Sequence, residues 1–146
     1  GYAKPVPINP SNFRNPKRDM AIAAVFGPLT NLMLAVISFL ILKHALYPIS
    51  EALTSDLATN ILKPILLMFA ASVQINVILA TFNMLPIPPL DGGRVLMGLL
   101  PYRQSLLLSK IEPYGFLIVI LLVAFGISSY IIVPIVRLLL YFIQML

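Results

Sequence analysis

The amino-acid sequence predicts an all-α integral membrane protein, a polytopic helical bundle with three to four transmembrane helices. Hydrophobic residues make up 60% of the 146 residues and charged residues only 10%, whereas about a quarter of the residues in a soluble domain are charged. The charged residues are also clustered between long apolar stretches. Residues 1–146 therefore have room for three or four spans of about 20 residues each, packed as a single membrane domain.

The predicted spans follow the apolar stretches in chain order. Residues 1–19 are polar and rich in proline, which predicts a segment at the membrane surface. Residues 20–42 and 61–85 are each long enough to cross a bilayer. The last apolar stretch suits either two short spans, 114–127 and 131–146, or one kinked helix followed by a helix on the lipid surface. We favour the two spans.

Lysine and arginine in the connecting segments predict the orientation of the chain. Residues 1–19 carry four of them, residues 90–112 carry three, and residues 43–63 carry two together with acidic residues. Because cytoplasmic loops are enriched in Lys and Arg, we expect the first two segments to face the cytoplasm of a multi-pass protein in the cell membrane. The sequences GPLTN and PPLDGG then lie at similar depth. Basic residues in these places contact lipid headgroups, so we expect no nucleic-acid partner.

Asp91 lies in the sequence NMLPIPPLDGGR, at the end of an apolar run. An unpaired carboxylate at membrane depth costs roughly 2.5 to 3.5 kcal/mol, so Asp91 needs a partner. In one interpretation Asp91 caps a helix that begins at Gly92. In the other it is an oxygen ligand to a divalent metal, and Gly92 and Gly93 leave room for the backbone of a substrate. The residues alone leave both interpretations open.

One carboxylate does not make a metal site. Catalytic zinc needs three protein ligands and an open position for water. The chain has no cysteine and a single histidine, His44. The charge pattern places His44 on the opposite side of the membrane from Asp91, so we interpret it as an interfacial residue rather than a ligand.

Asparagines within the apolar runs are candidates for polar contacts inside the membrane. Asn76 and Asn83 share a helix face, and Asn76 and Asn31 are explained as interhelical hydrogen-bonding residues. Asn83 differs because Pro86 and Pro88 end the helix just after it and leave backbone carbonyls free. Such a segment is tolerated at membrane depth where it meets protein or water. We therefore expect an aqueous cavity there, in which the Asn83 amide donates to a developing oxyanion.

Gly27 and Pro28 interrupt the first predicted span in the sequence GPLTNLMLA. The simplest interpretation is a packing notch, a small surface against which a neighbouring helix packs. The same notch is compatible with lining a site.

The sequence resembles the site-2 proteases, zinc metalloproteases that cut substrate helices inside the membrane. The resemblance implies one zinc ion per complete enzyme, with Asp91 as the third ligand and Asn83 near the metal, where it helps to bind substrate or to stabilise the intermediate. Gly27, Pro28 and Asn31 match a motif that the family has on the preceding span. The resemblance covers nearly the whole chain, through AKPVPINP, NPKRDM, GPLTNLMLA and INVILATFNMLPIPPLDGGRVL.

In this family an earlier helix carries the motif H-E-x-x-H, which supplies two zinc ligands and the Glu that activates water. The chain begins just after that helix, so we expect the C-terminal part of a compact prokaryotic enzyme without a PDZ domain, inactive by itself. The implied partners are transmembrane protein substrates, cut in regulated intramembrane proteolysis. Two alternatives stay open: a non-catalytic pseudoprotease that binds membrane helices, and a transporter-like module, although no inverted repeat is visible.

Overall fold

The computed structural model describes residues 15–52 and 56–146, and the described residues form helices joined by short turns. The prediction of an all-α fold is confirmed. Residues 1–14 of the predicted surface segment lie outside the described residues. The helices are α1 (Pro16–Ile41), a π-helical turn (Leu42–Leu46), α2 (Tyr47–Ala52), α3 (Asp56–Asn83), α4 (Asp91–Leu99), α5 (Tyr102–Ala124) and α6 (Ile127–Gln144).

Three helices in the described part of the chain are long and apolar enough to cross a membrane: Pro16–Ala52, Asn60–Asn83 and Tyr102–Ala124. A shorter apolar helix, Ser129–Gln144, follows them. This count agrees with the three to four transmembrane helices predicted from the sequence.

The predicted connector at residues 43–63 differs from the structure. The first helix continues through the π turn and α2 as far as Ala52, and α3 already begins at Asp56. Pro48 has no N–H to donate to a carbonyl four residues back. The chain passes it because the turn just before it is wound as a π-helix, in which the N–H of Tyr47 donates to the carbonyl of Leu42. The helix is therefore extended rather than broken.

The second half of the chain also differs from the expected boundaries. We expected a loop or interfacial helix over residues 90–112 and a span over 114–127, but α5 begins at Tyr102 and ends at Ala124. Pro113 lies inside α5 without ending it, as prolines do in membrane helices. The break comes at Gly126, whose φ of 72° lies in the left-handed region. The last apolar stretch thus forms two helices.

The helices pack around α1, which contacts α3 and α4, while α6 packs on α3. The centre of the core is Ala35 of α1, Val77 of α3 and Ile143 of α6. Small residues are buried on the facing surfaces of α1 and α3, which lets membrane helices approach closely. The ends of α1 and α4 are also joined, because the Lys17 ammonium donates a hydrogen bond to the carbonyl of Leu100.

Candidate metal centre

The site begins where α3 ends at Asn83 and a proline-rich loop, Met84–Leu90, leads into α4. The loop is folded on itself. The N–H of Ile87 donates to the carbonyl of Leu85 at 2.8 Å, and the N–H of Leu90 donates to the carbonyl of Ile87 at 2.9 Å. Pro88 is among the most completely buried side chains of the described residues. The loop therefore satisfies part of its own backbone and is anchored in protein.

Asp91 is the first residue of α4, and Leu90 rather than Asp91 is the N-cap of that helix. Within residues 15–52 and 56–146 no hydrogen bond of the Asp91 carboxylate is found. The interpretation of Asp91 as the cap of a helix starting at Gly92 is therefore wrong in this structure. The half-buried carboxylate is left with oxygen lone pairs for another partner.

The carboxylate of Asp91 lies against Gly27 of α1. A Cβ atom placed on Gly27 would be 2.8 Å from Asp91 Oδ2 and 3.7 Å from Asp91 Cγ. The structure thus brings together the two sequence motifs that we expected at similar depth. Pro28, the next residue of α1, is buried beside this contact. The packing notch predicted at Gly27 and Pro28 receives the acidic side chain of the site.

Gly92 and Gly93 are buried in the first turn of α4. A Cβ atom on Gly92 would overlap the backbone carbonyl of Met84, and one on Gly93 would lie 2.6 Å from the carbonyl carbon of Ile87. We expected these glycines to leave room for the backbone of a substrate. In the structure the chain's own loop occupies this space. The two glycines therefore allow the loop to pack closely on α4.

The three asparagines have different surroundings. Asn76 Nδ2 donates to the carbonyl of Ser72 at 2.8 Å and lies 3.3 Å from Ser72 Oγ. Ser72 in turn bonds to Ser38 of α1 at 2.9 Å, so the bond between the two helices is made by Ser72, and the bonds of Asn76 stay within α3. Asn83 and Asn31 are half-buried.

His44 lies far from Asp91. It is exposed in the π turn, 17 residues after Gly27, which is roughly 25 Å along a helix at about 1.5 Å per residue. In the part of the chain that the structure describes, no three His, Cys, Asp or Glu side chains are grouped to hold a metal ion. The described residues therefore offer a zinc ion one oxygen ligand, Asp91. They do not supply the further ligands that would complete its coordination.

A cavity of about 250 Å³ lies beside the loop, between α1, α3 and α6. Its walls are apolar, and neither Asn83 nor Asp91 lines it, so the aqueous cavity expected at those two residues stays a prediction. The Thr81 hydroxyl, which lines this apolar cavity, donates to the carbonyl of Val77 at 2.8 Å. The lining residues are Pro28, Leu32, Ala80, Thr81, Met84, Leu85, Pro86, Ile131, Ile135 and Leu139.

Sequence reasoning missed Gly115 of α5. A Cβ atom on Gly115 would overlap the carbonyl oxygen of Pro88, so the α5 backbone lies directly on the loop. An isolated glycine inside a long apolar helix was the available indication of such a close approach.

The described residues define a helical membrane protein in which a proline-broken helix end holds a half-buried carboxylate against a neighbouring helix. Residues 57–126 match the model of "Peptidase family M50". The protein "Putative zinc metalloprotease YwhC" of Bacillus subtilis (strain 168) is 32% identical over 136 residues, which cover 92% of this chain and 59% of that protein. No solved structure matches the chain.

These matches to peptidase family M50 confirm the predicted resemblance to the site-2 proteases. The family consists of zinc-dependent membrane peptidases. The chain spans 59% of the length of the relative that it matches.

Proposed function

We propose that the whole protein is an intramembrane zinc endopeptidase that hydrolyses peptide bonds in transmembrane substrate helices. The observation that carries this proposal is the position of Asp91. Its carboxylate is half-buried beside Gly27, and among the described residues it has neither a cationic partner nor a capping role. Similarity to a zinc-dependent peptidase family supports a metal as the missing partner.

Asp91 holds the metal in this proposal, together with ligands that residues 1–146 do not supply. A bound cation offsets the cost of keeping a carboxylate at membrane depth. Zinc supplies Lewis-acid polarisation of the scissile carbonyl and activation of water. The first turn of α4 fixes the direction of Asp91, because Gly92 has no side chain and lets α4 pack directly on the backbone of Met84.

Asn83 and Asn31 are the amides that meet the substrate in this proposal. Asn83 closes α3 directly before the broken loop. Asn31 lies one helical turn after Gly27, so it shares the α1 face that meets Asp91. An amide donor at such a place stabilises the negative charge that develops on the carbonyl oxygen in acyl transfer. Asn83 is assigned to this oxyanion, and Asn31 to positioning of the substrate backbone.

The test compares two aspartates that each lie in the first turn of a helix, with the complete protein in detergent. Asp19 Oδ2 accepts a hydrogen bond from the N–H of Asn15 at 3.2 Å, whereas Asp91 makes no such bond among the described residues. We expect Asp91→Asn to abolish both bound zinc and cleavage of a transmembrane substrate. Asp19→Asn should keep both, because it loses only a helix-start contact.

The measurements are zinc content by atomic emission and product formation by gel electrophoresis. A full complement of zinc in Asp91→Asn would overturn the ligand role of Asp91. A protein that binds a transmembrane helix but contains no zinc and cuts nothing would support the pseudoprotease alternative instead.

A further inference from the structure

We propose that Gly115 of α5 is a positioning residue for the metal site, an inference that rests on the proposed role of Asp91 as a ligand. Gly115 touches neither metal nor substrate in this proposal. It acts through the loop Met84–Leu90, which it holds against α4 so that Asp91 keeps its direction.

The contact between Gly115 and the loop is a backbone contact. Gly115 is buried in α5. A Cβ atom on it would overlap the carbonyl oxygen of Pro88 and would lie 2.5 Å from the carbonyl carbon of Pro88 and 2.7 Å from Pro89 Cδ. The exposed fraction of the Pro88 side chain is below 2%. The loop therefore has no free space on its α5 side.

The loop also lies directly on α4. A Cβ atom on Gly93 would be 2.6 Å from the carbonyl carbon of Ile87 and 2.8 Å from Pro88 Cα. The backbone of Pro88 is thus close to both Gly93 and Gly115. Backbone cannot rotate out of the way as the end of a side chain can, so an added methyl group on Gly115 must move the loop. Asp91 follows directly after that loop and moves with it.

Glycine at this position is not explained by the helix itself. Glycine is unfavourable in a helix interior compared with alanine, and Gly115 lies in the middle of a 23-residue helix. Its φ is not in the left-handed region, since Gly126 alone has a positive φ among the described residues. The close approach of Pro88 is the remaining physical reason for a residue without Cβ.

The test uses the complete protein, purified and loaded with zinc, with Gly115→Ala as the main variant. Gly126→Ala is the matched control: it strains a backbone of φ 72° in the same pair of helices, but no atom lies within 4 Å of the added Cβ. Thermal stability, zinc affinity by competition with a chelator, and the visible absorption spectrum after cobalt substitution are measured for each.

We expect Gly115→Ala to weaken zinc binding by about 10- to 100-fold, the usual loss when a residue that orients a metal ligand is changed. Its cobalt spectrum should shift because the geometry around the metal changes. Gly126→Ala should lower thermal stability and keep both the zinc affinity and the spectrum. If Gly115→Ala does not fold, Gly93→Ala provides a second variant, because its added methyl group contacts the same loop from α4. We expect the same loss of zinc affinity in Gly93→Ala.

Wild-type zinc affinity in Gly115→Ala or, where that variant does not fold, in Gly93→Ala would overturn the positioning role. An equal loss in Gly126→Ala would also overturn it, because general destabilisation would then explain the effect. Asp91→Asn separates this inference from the proposed function. If Asp91→Asn loses zinc while Gly115→Ala retains it, only the positioning role fails. If Asp91→Asn retains zinc, the ligand role fails and the positioning role fails with it.

Discussion

At the scale of single residues, two aspartates in similar helical positions have different surroundings. Asp19 bonds to the start of its own helix, while Asp91 faces Gly27 on another helix. Because Gly27 has no side chain, the Asp91 carboxylate can lie against α1. In contrast to the backbone contacts of Gly115, the atom nearest to Gly27 is the movable end of a side chain.

This difference leads to a prediction for Gly27→Ala. The new Cβ would be 2.8 Å from Asp91 Oδ2, so the carboxylate should rotate away while the helices stay in place. We expect thermal stability close to that of the unaltered protein and zinc affinity lowered about tenfold or more. Leu29→Ala, an exposed position two residues further along α1, is the control and should bind zinc normally. A loss of stability without any loss of zinc affinity would contradict the prediction.

At the scale of helices and loops, the sequence predicted those features whose free-energy cost depends on residues that are neighbours in the chain. Long apolar stretches with few charges predicted the membrane helices. The distribution of Lys and Arg predicted that Gly27 and Asp91 lie at similar depth, and the structure places them in contact. Predictions failed where the result depends on packing between distant segments. Neither the packing of the loop backbone on Gly92 and Gly93 nor the contact of Pro88 with Gly115 follows from local sequence.

The contact between α1 and α3 supports a prediction about the energy of a membrane hydrogen bond. The hydroxyls of Ser38 and Ser72 are 2.9 Å apart, and such interhelical bonds contribute about 0.6 kcal/mol on average. A double-mutant cycle with Ser38→Ala and Ser72→Ala should give a coupling energy of about this size, measured by unfolding the complete protein in sodium dodecyl sulfate. Ser109, whose hydroxyl bonds within its own helix to Leu106, should show no coupling to Ser38. Equal coupling for both pairs would contradict the assignment.

At the scale of the whole molecule, the contacts between helix ends show which helix ends lie together with Asp91 at one end of the bundle. Lys17 at the start of α1 bonds to Leu100 at the end of α4, and Asp91 contacts Gly27 near the same end. The basic residues of 15–19 and 90–112 therefore gather at the end that holds Asp91, while α2 lies at the other end. Because Lys and Arg are retained on the cytoplasmic side, we predict that the proposed metal site faces the cytoplasm.

This orientation can be measured by labelling with a membrane-impermeant maleimide in intact cells, since the chain contributes no native cysteine. Arg103→Cys and Tyr47→Cys place single thiols at exposed positions near the two ends of the bundle. We expect Tyr47→Cys to react in intact cells and Arg103→Cys to react only after permeabilisation, because α1 and its extension separate the two ends by a bilayer thickness. Labelling in the reverse order would place the site on the outer face, and the positive charges would then need an explanation other than topology.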